Sequence, residues 1–310
     1  MIKMAITKYG IISDIHKKPE YLDQIVNKLK VEEIDKLILN GDIGDSWLKI
    51  FRTLEVVSKL DIETYIQPGS HESVEDYSNV VFSFCNKYSN FIDVIKNQKI
   101  ENKDHDLVFL PGSDFLAGGG YLLGDFEEWD NAVCKTQSDE FNYLSNIRVL
   151  DTLVSDPDKT ISICHVPRKF NDLDSSVDYA YFAESATGIV TSGEVIEKAV
   201  RREYSSHMNK LQLDRNLDKL AFSHGFTFKR ENRGNEELAK SYESNGITKA
   251  ISGHFHESSH RAHDSNSILV PEGQFTDNLF YNSGAADYGL AGILCVDGNK
   301  VAYKNINVKH

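Results

Sequence analysis

Residues 9–42 read YGIISDIHKKPEYLDQIVNKLKVEEIDKLILNGD. The opening YGIISD is a buried strand by its length and its β-branched residues. Pro19 stands where a helix can start, and Leu22, Ile25, Val26 and Leu29 follow at helical spacing. DKLILNGD is then a second strand. Downstream, SWLKIFRTLEVVSKL at 46–60 predicts a second helix with Ser46 as N-cap, and IETYIQPG at 62–69 a third strand. Strands alternating with helices imply a parallel sheet covered by helices, an α/β fold.

The pattern changes further along. Residues 91–112 and 118–125 predict short strands joined by turns. A helix is expected near 138–153, then the strand TISIC at 160–164. Residues 170–215 are polar and helical in part. DKLAFSH at 218–224 reads as a strand, NEELAKSYESNG at 235–246 as a helix stopped by Gly246, and ITKAIS at 247–252 as a strand. The segments from 267 onward are β-rich, with Asp297-Gly298 as a hairpin turn. With no repeat, low-complexity stretch or Pro/Ser-rich linker, residues 1–310 read as a single domain.

The 310 residues are enough for a large core, and 40% hydrophobic with 26% charged residues is ordinary for a soluble globular chain. The net charge of -13 disfavours general nucleic-acid binding, which needs the opposite sign. Cys85, Cys134, Cys164 and Cys295 show no CxxC spacing, against a disulfide framework and in keeping with a reducing compartment. No apolar run approaches the roughly 20 residues a bilayer span needs. The expectation is a cytoplasmic protein with no membrane partner.

Each early strand ends in polar residues: Asp14-Ile15-His16, then Gly41-Asp42, then Gly69-Ser70-His71-Glu72. Later come Cys164-His165 and Gly253-His254-Phe255-His256. Ligand crevices of open α/β sheets lie beyond the carboxyl ends of strands, so these clusters are expected to converge. Alternation along an extended segment would put Asp14 and His16 on one face, and likewise His254 and His256. Carboxylates with imidazoles suit divalent first-row metals. A shared carboxylate can bridge two ions, which together clamp a phosphate and acidify a water.

SDIH, NGDIGD, GSHE, CHVPRKF and SGHFHES, in that order, resemble the calcineurin-like metallophosphoesterase superfamily, whose pattern runs D-x-H, G-D, G-N-H-D/E, H, G-H-x-H. YNSGAAD is similar to the segment that follows GHxH there. The resemblance implies a four-layer α/β/β/α sandwich, two mixed β-sheets flanked by helices. It implies two divalent metal ions (Mn, Fe, Zn or Ni, with Mn expected to serve in vitro). Asp14, His16 and His256 would hold the first ion, Asp42 would bridge, and His165 and His254 would hold the second. Ser70 stands in place of the usual Asn ligand, one bond shorter, which should weaken the second ion. His71 matches the non-ligand catalytic histidine that contacts substrate phosphate and protonates the leaving oxygen. Its neighbour Glu72 offers a way to hold it charged. Arg168, where the family often has a Pro, offers a guanidinium to bind substrate phosphate.

The single histidine has a rival. His224 lies closer to GHxH, the commoner spacing, while His165 follows a strand and precedes VPRKF. His165 is preferred, which leaves an insertion at about 170–225. Asp45 reads equally well as an N-cap and is not assigned to the metals. His105, His207, His260, His263 and His310 read as surface or satisfied side chains. The expected function is hydrolysis of a phosphomonoester or phosphodiester by a hydroxide activated at a binuclear centre. The alternatives are a metal-binding scaffold that recruits a partner through a crippled second site, and a nuclease of the same superfamily, against which the negative charge counts.

Overall fold

The computed structural model describes residues 6–16, 19–114, 119–124, 142–145 and 147–309. The first half follows the strand-helix alternation. β1 is Thr7–Ile12, α1 Leu22–Val31, β2 Lys36–Asn40, α2 Trp47–Val57, β3 Glu63–Gln67, α3 Val74–Lys87 and β4 Phe91–Asp93. Pro19 opens a 3-10 turn, Pro19–Tyr21, that leads into α1. Ser46 is the N-cap of α2 with an extended backbone, but its side chain makes no cap hydrogen bond. Ser73 caps α3 more fully, its hydroxyl accepting from the Asp76 amide at 3.1 Å.

Next come β5 Lys99–Glu101, β6 Asp106–Leu110, β7 Tyr121–Leu123 and β8 Asn142–Ser145. Among the described residues, the helix expected near 138–153 is found only at its end. A 3-10 turn at Ile147–Val149 runs into α4, Leu150–Leu153, while 142–145 are strand. β9 is Thr160–Cys164, β10 Tyr179–Ser185 and β11 Val190–Ser192. α5 Gly193–Tyr204, α6 Lys210–Ser223, β12 Phe226–Asn232, α7 Glu236–Ser244 and β13 Lys249–Ser252 follow. The strand expected over 218–224 is the last turns of α6. The chain ends in β14 Ala262–His263, β15 Leu279–Asn282, β16 Leu290–Asp297 and β17 Lys300–Asn307. Gly298, at φ +63°, turns the hairpin between the last two strands.

Two six-stranded sheets result, in the orders β17-β16-β1-β2-β3-β4 and β14-β15-β13-β9-β6-β5. Both are mixed: β1 to β4 are mutually parallel, β16 is antiparallel to β1, and β17 is antiparallel to β16. β6, β9, β13 and β15 are parallel, with β5 and β14 antiparallel at the edges.

Strand alternation sorts the side chains into layers. Ile11, Ile38 and Tyr65 of the first sheet meet Phe109, Ile163, Ile251 and Tyr281 of the second. Ile12, Leu37, Leu39 and Ile66 face outward, against Leu22, Ile25, Leu54 and Val81 of α1 to α3. Val108, Cys164 and Phe280 face the other way, against Leu238 and Tyr242 of α7. Each fully buried Leu or Ile contributes about 1.5–3 kcal/mol relative to exposure. The chain is thus a four-layer α/β/β/α sandwich, as its motifs imply.

Between β9 and β13, β10, β11 and β12 form a separate three-stranded sheet, backed by α5 and α6. Ala180 and Phe182 of β10 pack on Phe255, between two histidines of the site described next.

Candidate metal centre

Asp14, His16, Asp42, Ser70, His71, His165, His254 and His256 come together where β1, β2, β3, β9 and β13 end. Three donor groups, Asp14/His16/His256, His16/Asp42/His71 and Asp42/His165/His254, each have their atoms within 4.8 Å of one another. The convergence does not come from strand alternation. β1 ends at Ile12 and β13 at Ser252, before the histidines. Asp14 (φ 55°), His16 (φ 44°), Asp42 (φ 51°) and His254 (φ 69°) instead occupy left-handed backbone, which L-residues adopt at a cost of about 1–3 kcal/mol each. Sharp turns after each strand swing the side chains inward. Gly69 makes the approach possible: a Cβ there would stand 2.5 Å from Asp42 Oδ1 and 2.9 Å from the His165 ring.

Asp42 is the hub and is 1% exposed. Oδ1 accepts from the backbone N–H groups of Ser70 and His71. Oδ2 accepts from the Ser70 hydroxyl at 2.8 Å and lies 3.1 Å from His165 Nε2 and 3.7 Å from His16 Nε2. His165 is fully buried, and its Nδ1 donates to the Asn40 carbonyl at 2.8 Å. That bond turns Nε2 toward the cluster and the Asp42 carboxylate. On the other side, His16 Nε2 and His256 Nε2 face each other at 3.1 Å, with Asp14 Oδ1 3.4 Å from the latter. The His254 amide donates to Asp14 at 3.1 Å.

The electrostatics are those of a cation site. Burial works against ionised Asp14 and Asp42, yet the His256 hydrogen bond on the first and His165 beside the second hold both carboxyls well below their usual range. The same carboxylates overcome burial at His165 and lift its pKa to about 10. At His16, burial is outweighed by Asp45 and Asp42, and the pKa rises to about 9. Burial and the neighbouring His165 push His254 down to about 3, so its ring is a neutral lone-pair donor. Buried imidazole nitrogens aimed at carboxylates and at each other need positive charge between them, and divalent ions fit that donor set.

Some sequence expectations are corrected. Ser70 is 2% exposed and inside the cluster, but its hydroxyl donates to Asp42. Glu72 does not support His71: its carboxylate turns inward to accept from the Ile43 and Gly69 amides. Burial, with Asp42 beside it, raises the Glu72 pKa to about 7. Asp45 Oδ1 lies 4.0 Å from His71 Nδ1, and burial lowers the pKa of this histidine. Arg168 turns away from the cluster. Its guanidinium stacks on Phe170 and Phe280, behind the second sheet, and pairs with Glu243 of α7 at 3.6 Å.

His224 is the C-cap of α6, against Tyr204 and Glu203, far from the donor groups in its contacts. His105 and His263 are buried and hydrogen-bonded to Tyr9 and to Val177. His260 bonds to the Ala291 carbonyl. His310, like Cys134, lies outside the described residues. Two acidic residues beside the cluster have no role there in the sequence reading, Asp45 weighed and left unassigned and Asp287 not singled out. Asp45 faces His16 Nδ1 at 3.5 Å rather than capping α2, and Asp287 faces His256 Nδ1 at 3.8 Å. The spacing of Gly41-Asp42 and Asp45 was a signal for the first; the second closes the YNSGAAD segment, which was matched to the family without a role for its last residue.

The profile of the calcineurin-like phosphoesterase family matches residues 7–224. The chain belongs to that family of metal-dependent phosphoesterases. Among solved structures it is similar to the protein TT1561 of Thermus thermophilus, at a TM-score of 0.54 and 10% identity, covering 97% of this chain and 99% of that one. It is also similar to a dimetal phosphatase from Danio rerio, at a TM-score of 0.48 and 10% identity, covering 98% and 99%. At such identity the first likeness concerns the fold alone. No curated protein sequence matches the chain. Among the described residues, no helix is long and apolar enough to cross a membrane.

Proposed function

We propose that the protein hydrolyses phosphate esters at a centre of two divalent ions. Asp14, His16 and His256 hold the first, His165 and His254 the second, and Asp42 serves both. The observation that carries this reading is the fully buried Nε2 of His165, turned into the donor cluster 3.1 Å from the Asp42 carboxylate. Such ions neutralise the charge of a phosphate and lower the pKa of water toward neutrality.

The side chains supply the rest. Ser70, with its hydroxyl and its amide both on Asp42, orients that carboxylate. His71 stands at the rim, its side chain 34% exposed, within reach of both cluster and solvent. It is the group suited to carry a proton to the leaving oxygen, the incoming phosphate supplying the negative charge that returns its proton. Phosphomonoesters and phosphodiesters both fit this chemistry.

The purified protein is expected to hydrolyse a generic aryl phosphate when Mn²⁺ is added and to lose that activity with chelator. Full turnover in chelator overturns the reading. No turnover on any ester, with metal bound, favours the scaffold alternative.

Ser70→Asn tests the missing ligand. An asparagine amide is one bond longer than the hydroxyl and offers a neutral oxygen, so the second ion is expected to bind roughly 10–100-fold tighter, the scale on which a single supporting group alters metal affinity. The first ion should change little. Activity should rise at limiting Mn²⁺ and converge with the parent at saturation. Calorimetric titration showing neither ion tightened removes position 70 from the coordination sphere.

A further inference from the structure

His16 and His256 are arranged alike. Each presents Nε2 to the cluster and Nδ1 to a carboxylate outside it, Asp45 at 3.5 Å and Asp287 at 3.8 Å. Asp287 does more than face an imidazole. It sits in the loop of residues 283–289 that crosses from β15 in the second sheet to β16 in the first. Its backbone N–H donates to the Asp14 carbonyl at 3.0 Å, and the neighbouring Ala286 N–H donates to Ser13 at 2.9 Å. The Tyr288 ring stands edge-on to His256, with centroids 5.2 Å apart.

A closed circuit results. The Asp287 main chain holds Asp14, its carboxylate faces His256, and His256 Nε2 returns to Asp14 Oδ1 at 3.4 Å. Asp14 follows β1 of one sheet and His256 follows β13 of the other, so this loop joins the two halves of one donor set. The chemistry is suited to the task. An imidazole that gives its Nε2 lone pair to a metal carries its proton on Nδ1. A carboxylate that accepts a hydrogen bond from Nδ1 fixes that tautomer and ring plane and makes Nε2 more basic, and Asp287 at 3.8 Å is the carboxylate placed to close on it.

We infer that Asp287 is the positioning residue of the first ion, fixing His256 as a ligand and setting its spacing from Asp14 across the two sheets. The inference rests on the two-ion reading above.

The test is calorimetric titration of Mn²⁺ into the metal-stripped full-length protein, comparing the parent with Asp287→Asn and Asp287→Ala. His16→Ala identifies which binding event is the first ion. Thermal unfolding of the stripped proteins is measured in parallel. The first ion is expected to weaken roughly 10–100-fold, more for alanine than for asparagine, with the second ion unmoved and no matching loss of stability. First-ion binding as tight as in the parent overturns the inference. So does an equal weakening of both ions with a lowered unfolding midpoint, which would make Asp287 a structural tie only. A parent protein that binds no Mn²⁺ overturns the two-ion reading itself, and this assignment with it.

Discussion

Asp42→Asn is expected to cost the protein both metal equivalents, and its hydrolytic activity with them. The carboxylate accepts from two backbone amides and the Ser70 hydroxyl, and it faces His165 and His16 with the same oxygen that takes the hydroxyl. An asparagine amide has one acceptor and one donor end. If the NH2 points at the amides of Ser70 and His71, donors oppose donors in a buried site. If it points at the histidines, a positive dipole stands where the ions bind. Neither orientation works. The loss for each ion should exceed the roughly 10–100-fold typical of removing an outer-shell partner. Metal analysis after dialysis, with turnover on an aryl phosphate, measures both effects. Retention of one ion at parental affinity would show that Asp42 is not shared.

Next in size is the contrast between two histidines. His165→Ala should remove one metal equivalent and also destabilise the metal-free protein. Without ions, the protonated imidazole pairs with Asp42 in a fully buried setting, and breaking such a pair from one side costs about 3–5 kcal/mol. His224→Ala should leave metal content unchanged and stability nearly so. His224 is 40% exposed, and its contacts are a long bond to Tyr204 and an ion pair with Glu203 at the surface. The reverse order in metal analysis would move the second ion to His224.

These residues were readable in the sequence to different degrees. The layers were legible because the periodicities are clean. Leu22, Ile25, Val26 and Leu29 are buried on one face of α1, and Ile11 and Ile12 part to opposite faces of β1. The polar strand ends were legible as a set, since open α/β sheets gather such ends in one place.

α6 was not legible. Only Leu213 and Ala221 are buried along it, while Leu211 and Phe222 lie exposed, so no apolar stripe marks its face. The overlooked signal was its capping box, Asn209 with Gln212. Side-chain direction after a turn was equally hidden. Arg168 follows Pro167 three positions beyond His165, yet it leaves on the opposite side of the sheet to lie on Phe170 and Phe280. Glu72 adjoins His71 in sequence and points the other way, into the amides of Ile43 and Gly69. Sequence proximity at a turn says little about which carboxylate meets which imidazole.

The strand order of the first sheet bears on how the site is assembled in time. β1 lies inside that sheet, flanked by β2 and by β16, whose residues 290–297 are separated from it by most of the chain. Contacts so distant in sequence form slowly, because the intervening loop entropy is lost before they repay it. During synthesis, β1 and the Asp14 beyond it stay open on one edge until β16 has left the ribosome. The other donors at residues 165, 254 and 256 arrive only in the second half of the chain. On the two-ion reading, ion capture would belong to the last stage of maturation, and a bound ion would tie the earliest segment to the latest, raising the barrier to peeling either sheet away.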